Sequence, residues 1–197
     1  MNNIERVAPI PIDANDADLL ANVRPAEWSN PHPAPRYNLV VIGGGTAGLV
    51  AAAGAAALGA RVALVERQFM GGDCLNFGCV PSKALLRSAQ FYSDLGGAPN
   101  FTGSAPVASG IDFAAAMARM RRLRAGISHH DSAQRFQGLG VDVFLGDAAF
   151  VDRRTVQVAG ATLAFQKAVV ATGTHAARPE IVDSKPLASS PMKRSST

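Results

Sequence analysis

One stretch, YNLVVIGGGTAGLVAAAGAAALGARVALVE at residues 37–66, restricts the folds open to this chain more than any other. Asn38 to Ile42 has the apolar character of a central parallel strand. Thr46 to Leu58 has helical length and is rich in alanine, the best helix former, with Gly59 placed to end it. Arg61 to Glu66 is a second apolar strand. Between the first strand and the helix, Gly43, Gly45 and Gly48 form G-x-G-x-x-G. The first glycine allows a tight turn, the second lets backbone approach a pyrophosphate, and the third lets helix pack closely on strand. Phosphates then lie at the helix N-terminus, where free N–H groups and the helix dipole favour negative charge. Glu66 ends the second strand, where a carboxylate accepts hydrogen bonds from ribose hydroxyls and disfavours a 2′-phosphate. FAD or NAD is therefore preferred over NADP, and a glycine turn that only packs is the competing reading.

Residues 71–83 read GGDCLNFGCVPSK and hold both cysteines of the chain, Cys74 and Cys79. Three readings are open at this point: a redox pair, part of a metal site, or two buried small hydrophobes. A zinc site needs about four ligands. The chain has only four histidines, none at ligand spacing to the cysteines, so no metal is expected. As a redox pair, the thiols can close a small ring if the turn at Asn76 to Gly78 is tight. Helix N-terminal N–H groups and a cation such as Lys83 then lower a thiol's pKa.

The rest of the chain supplies the frame. Residues 1–36 are a polar lead-in with six prolines, expected to lie on the surface, with a short helix near Ala14 to Val23. Pro81 to Leu95 reads as a helix, residues 96–110 as a loop, and Ile111 to Gln137 as one long helix. From Val141 the period shortens: VDVFLGDAAFV, TVQVAG and ATLAFQ read as an antiparallel meander, and KAVVATG as one more buried strand. After Gly173 the apolar pattern stops, leaving 175–197 as a polar tail. The dinucleotide-binding domain is thus expected at 37–174.

With 48% apolar and 17% charged residues the chain is a globular type. Its net charge of +4 is mild, and the one basic run, Arg119, Arg121, Arg122 and Arg124, reads as the solvated face of a helix. No nucleic-acid partner is expected, since that needs a broader basic footprint. No secretory leader and no apolar run long enough to span a bilayer is seen, so a cytoplasmic protein without membrane partner is expected.

GGGTAG, Glu66 and GGDCLNFGCVPSK together resemble the FAD-binding segment of the pyridine nucleotide-disulfide oxidoreductases. That family includes dihydrolipoyl dehydrogenase, glutathione reductase and mercuric reductase, and the form GGDCLNFGCVPSKALLRSA is most similar to the mercuric-reductase-like members. The resemblance covers residues 37–175 and implies an α/β fold. This is a doubly wound Rossmann-like FAD-binding domain, helices on both faces, with an inserted antiparallel β-meander, and incomplete. It implies FAD held by Gly43, Gly45, Gly48 and Gly72, with Glu66 on the adenosine ribose. Ala148 falls where backbone meets the adenine, and Thr172 with Gly173 matches a turn close to FAD. Cys79 becomes the thiol nearest the flavin, Cys74 the interchange thiol that meets a disulfide or metal-ion acceptor, and Lys83 a neighbour of the flavin ring.

In such enzymes NAD(P)H enters through a second dinucleotide-binding domain, and a later domain forms a homodimer. Neither a second G-x-G-x-x-G nor the later domain is found in these residues. The expectation is the first part of a longer enzyme, with a tail such as a shifted reading frame gives. Two other classes compete: a flavin-binding module without turnover, and a nonfunctional fragment with an uncovered sheet edge.

Overall fold

The computed structural model describes residues 13–104 and 112–174. The segments expected as the extreme N-terminus, part of the 96–110 loop and the polar tail at 175–197 lie outside them. A first helix, α1 (Ala14–Val23), precedes strand β1 (Tyr37–Ile42), helix α2 (Thr46–Ala57) and strand β2 (Val62–Glu66). Then come α3 (Gly72–Asn76), α4 (Cys79–Gly97), the short α5 (Pro99–Thr102), α6 (Phe113–Ser128) and α7 (Ala133–Gly138). Four strands follow: β3 (Val141–Leu145), β4 (Ala148–Asp152), β5 (Thr155–Val158) and β6 (Ala161–Val170).

The strands form one six-stranded sheet in the order β3-β2-β1-β6-β5-β4. β1 pairs in parallel with β2, placing Leu39 opposite Val62, and β2 pairs in parallel with β3. All five β2 residues are buried, as a strand covered on both faces requires. Alternate residues divide between two cores. Val62 and Leu64 face Leu49 and Ala52 of α2, Leu19 and Val23 of α1, and Ala133 and Phe136 of α7. Ala63 and Val65 face the other way, with Tyr37, Val40 and Phe144, under Val156, Val158, Leu163 and Phe165.

The α/β frame, the parallel sheet and the meander follow the sequence reading, but several particulars differ. Among the described residues helices do not flank both faces: the second core contains no helical residue and is closed by β5 and the first half of β6. β3 does not belong to the meander, because it lies beside β2 in parallel register. ATLAFQ and KAVVATG are not two strands. β6 runs unbroken from Ala161 to Val170, antiparallel to β5 over its first half and parallel to β1 over its second.

The expected long helix also breaks. α6 stops at Ser128, a 3-10 turn spans His129–Asp131, and Ser132 adopts extended backbone. Its hydroxyl then accepts from the Arg135 N–H at 3.2 Å, starting α7 afresh. Residues 99–102, expected in a loop, are helical.

Two expectations about charge and the lead-in are corrected. Three of the four α6 arginines do not form a solvated face. Arg119 donates to the Ala84 carbonyl at 3.0 Å, Arg121 pairs with Asp13 at 2.8 Å, and Arg124 pairs with Asp16 at 2.7 Å. From residue 13 on the lead-in does not merely lie on the surface, because α1 buries Leu19 and Val23 in the helical core to 2% and 0% exposure. Beyond it, Trp28 Nε1 donates to the Val143 carbonyl at 3.3 Å, and Asn30 exchanges two hydrogen bonds with Leu145. The proline-rich segment thereby satisfies the outer edge of β3, which would otherwise be an unpaired template.

Replacing Leu19 by alanine is expected to destabilise the chain by about 2–5 kcal/mol, the range for truncating a buried leucine. A helix merely resting on the surface would lose no more than about 0.5 kcal/mol. Urea unfolding followed by circular dichroism distinguishes the two.

Candidate functional site

The glycine turn is built by close approach. A Cβ on Gly48 would overlap the Gly43 carbonyl oxygen, so only glycine lets α2 start this near the end of β1. Gly43 itself sits at φ +110 and donates to the Val65 carbonyl at 2.8 Å, tying the turn to β2. Gly45 caps α2 without any side-chain hydrogen bond, so the first N–H groups of the helix face outward for a ligand.

The cysteine segment is joined to this turn through backbone. The Gly71 N–H donates to the Gly44 carbonyl at 2.8 Å. A Cβ on Gly72, at φ +57, would lie 2.6 Å from the Gly45 Cα. Any side chain there would push the two loops apart.

Within the segment, Cys74 lies on α3 and Cys79 is the first residue of α4. The intervening turn is tight: the Phe77 and Gly78 N–H groups both donate to the Asp73 carbonyl, at 2.9 and 2.7 Å. Buried Asn76 holds it from inside, its amide donating to the carbonyls of Met70 at 3.1 Å and Gly72 at 2.8 Å. Both cysteines are free thiols, Cys74 partly buried and Cys79 exposed. The pKa of Cys74 is raised above the ordinary thiol value, first by the neighbouring Cys79 thiol, then by burial and by the charge of that neighbour when ionised. The Thr46 hydroxyl and the Lys83 charge oppose the shift without reversing it. The expectation that Lys83 and a helix start leave a depressed thiol is therefore corrected at Cys74, where the partner thiol dominates.

Glu66 is buried at the end of β2, with both carboxylate oxygens engaged. Oε2 accepts from the Gly44 N–H and Oε1 from the Gln68 N–H, each at 2.6 Å. A carboxylate has about four acceptor sites, so ribose hydroxyls can still be received.

A cleft of about 1050 Å³ runs along these parts, and Gly43, Gly45, Glu66, Gly72, Cys74, Ala148, Thr172 and Gly173 all line it. Three sequence-named residues stand outside the lining. Gly48 is buried beneath the turn, while Cys79 and Lys83 are exposed one helical turn apart on α4. Residues the sequence reading did not assign also take part. Thr46, at the start of α2, touches Cys74; Asn76 braces the turn; Phe69, Gly146 and Asp147 add to the wall. Asn76 was visible between the cysteines, and its buried amide gives it a part. Among the described residues no group of three or more His, Cys, Asp or Glu could hold a metal ion, and no helix is long and apolar enough to cross a membrane.

A glycine cradle at a helix start, a carboxylate on the neighbouring strand and Cys74, with Cys79 just outside, share one cleft, an arrangement suited to a dinucleotide beside a thiol pair. The model of the family described as pyridine nucleotide-disulphide oxidoreductase matches residues 37–191, and the chain belongs to that family. Enzymes of this family depend on FAD and use NAD(P)H. The chain is 36% identical over 145 residues to a mercuric reductase of Staphylococcus aureus, covering 74% of this chain and 26% of that protein. It is 35% identical over 149 residues to a dihydrolipoyl dehydrogenase of Acholeplasma laidlawii, covering 74% and 43%. Among solved structures, the HOCl-induced flavoprotein disulfide reductase RclA from Escherichia coli matches with a TM-score of 0.57 at 27% identity, covering 74% of this chain and 30% of that one. The chain thus spans between about a quarter and two fifths of the length of these three relatives.

Because its pKa is raised, Cys74 keeps its proton at neutral pH. Its alkylation by iodoacetamide is expected to go on accelerating past the ordinary thiol value of 9.0. Thr46→Val removes a hydroxyl that favours the thiolate, so the midpoint should move further up. Peptide mapping of alkylated Cys74 against pH reads this out, and an unmoved midpoint would show that Thr46 does not act on the thiol.

Proposed function

We propose that these residues form the FAD-binding, dithiol-bearing part of an oxidoreductase that carries electrons from NAD(P)H to Cys74 and Cys79 and on to a disulfide or metal-ion acceptor. The observation that carries the reading is the single cleft on which the glycine cradle, Glu66 and Cys74 meet. Its volume of about 1050 Å³ leaves room for a dinucleotide, and glycines at the turn let backbone approach a pyrophosphate.

In this reading the N–H groups at Gly45 and Thr46 receive the pyrophosphate, Glu66 receives the ribose hydroxyls, and Ala148, Thr172 and Gly173 border the remainder. FAD, when bound, supplies the two-electron carrier between the nicotinamide and the dithiol. The protein's own part is thiol chemistry. With both thiols reduced, loss of the Cys74 proton gives a thiolate that attacks one sulfur of a disulfide acceptor and displaces the other as a thiolate. Cys79 then attacks Cys74, releasing the second half of the acceptor and closing the Cys74–Cys79 disulfide. Two electrons have passed to the acceptor, and reduction of that disulfide restores the dithiol. The resemblance assigns the cofactor-side role to Cys79 and the interchange role to Cys74. The likeness to mercuric reductases favours a soft metal ion as an alternative acceptor, one both sulfurs can ligate. A homodimer is proposed for the complete enzyme on the same grounds.

A second reading, a flavin-binding module without turnover of its own, is favoured by the 26% share of the mercuric reductase that the chain covers. Visible spectra distinguish the two. Bound flavin bleached by NADH supports the oxidoreductase, flavin that responds only to dithiothreitol supports the module, and a colourless protein overturns both. In the single-thiol variants, a long-wavelength band should persist in Cys74→Ser and vanish in Cys79→Ser. The opposite pattern would exchange the two roles.

A further inference from the structure

The segment before residue 37 lies outside the family match, yet it reaches both functional loops. One arm is Arg24, whose Nη1 donates to the carbonyls of Arg67 and Gln68, both at 2.7 Å. Gln68 is the residue whose N–H fixes Glu66 Oε1. Next to Arg24, the Val23 carbonyl accepts from the Met70 N–H at 3.0 Å, so the whole turn 67–70 is held from outside. The other arm is Asp16. Its carboxylate receives Arg124 Nη2 at 2.7 Å, and Nη1 of the same guanidinium donates at 2.9 Å to the carbonyl of Asn76, between the two cysteines. This pair is largely buried, with side-chain exposures of 14% for Arg124 and 5% for Asp16. α1 is itself anchored by Leu19 and Val23 in the core and by Asn22 donating to Ser128 Oγ at 2.9 Å.

We infer that residues 13–30 are a clasp for the site, with Arg24 a positioning residue for the ribose carboxylate and the Asp16–Arg124 pair a positioning element for the dithiol turn. The inference rests on the flavin reading for its first arm only. A guanidinium on two carbonyls sets the direction of the Gln68 N–H, and through it the Glu66 carboxylate that the adenosine must meet. The second arm sets the Asn76 carbonyl, and with it the turn that brings the thiols together. The two arms act on different halves of the site, so their effects are separable. A segment that merely stabilised the fold would move every property at once.

The test uses the whole chain and two readouts: affinity for ADP and for FAD by titration calorimetry, and the ratio of Cys74 to Cys79 labelling by N-ethylmaleimide, mapped by mass spectrometry. Arg24→Ala is expected to weaken ADP and FAD by roughly tenfold, the scale of a lost charged hydrogen bond, with an unchanged labelling ratio. Arg24→Lys, which keeps a charged donor, should restore part of the affinity. For the second arm Arg124→Lys is preferred to removing Asp16, since it keeps the buried charge but cannot span both acceptors. It should change the labelling ratio by about threefold or more while ADP affinity holds. ADP affinity within about twofold of the unaltered chain in Arg24→Ala, or a labelling ratio unmoved in Arg124→Lys, would overturn the inference, as would variants that shift both readouts together. If the unaltered chain binds neither ADP nor FAD, it is the flavin reading that fails. The clasp then stands or falls on the labelling ratio in Arg124→Lys.

Discussion

The site depends on one contact made without side chains: the meeting of the turn at Gly44–Gly45 with the turn at Gly71–Gly72. A backbone hydrogen bond of 2.8 Å and the lack of a Cβ at Gly72 set the separation of the phosphate cradle from the dithiol. Side chains add and refine, but none can substitute for that approach. The strands deliver both turns to the same end of the sheet, at the carboxyl ends of parallel β1 and β2, where open α/β sheets place their ligands. Sheet order, helix packing and glycine placement are consequences of keeping those two turns in contact.

The sequence made some of this readable, and physical chemistry says why. A β-α-β unit has short apolar runs and a glycine turn that are entirely local, so β1, α2 and β2 were legible within a residue or two at each end. Pairing is not local. Nothing in VDVFL distinguishes a parallel neighbour of β2 from the first strand of a meander, because period two is the same in both. Nor does apolar spacing reveal the stop at Ser128, since Phe136 continues the expected stripe while the backbone has already turned at Ser132. The dithiol's location was legible, but the direction of the shift at Cys74 was not. It comes from the neighbouring Cys79 thiol, which only the folded turn brings near.

The lead-in was the harder case. Its helix carries only two fully inward apolar residues, Leu19 and Val23, among aspartates and asparagines that read as surface. What buries Asp16 is an arginine 108 residues later. Such a pair adds little net stability, because desolvation offsets most of the attraction, whereas losing one partner costs about 3–5 kcal/mol. Energetics of that kind select for geometry rather than for strength, which suits a residue held directly behind a reactive turn.

β6 belongs to two architectures at once. Its first half closes the antiparallel layer over one core, and its second half is a central rung of the parallel sheet, with no glycine or proline between. The meander and the dinucleotide sheet therefore have no hinge between them. A shear that loosened the β5 register would be felt at Val170, just before Thr172 and Gly173 at the cleft's lip. The two layers should open and unfold as a single cooperative unit, with the lip of the cleft moving only when the whole sheet does.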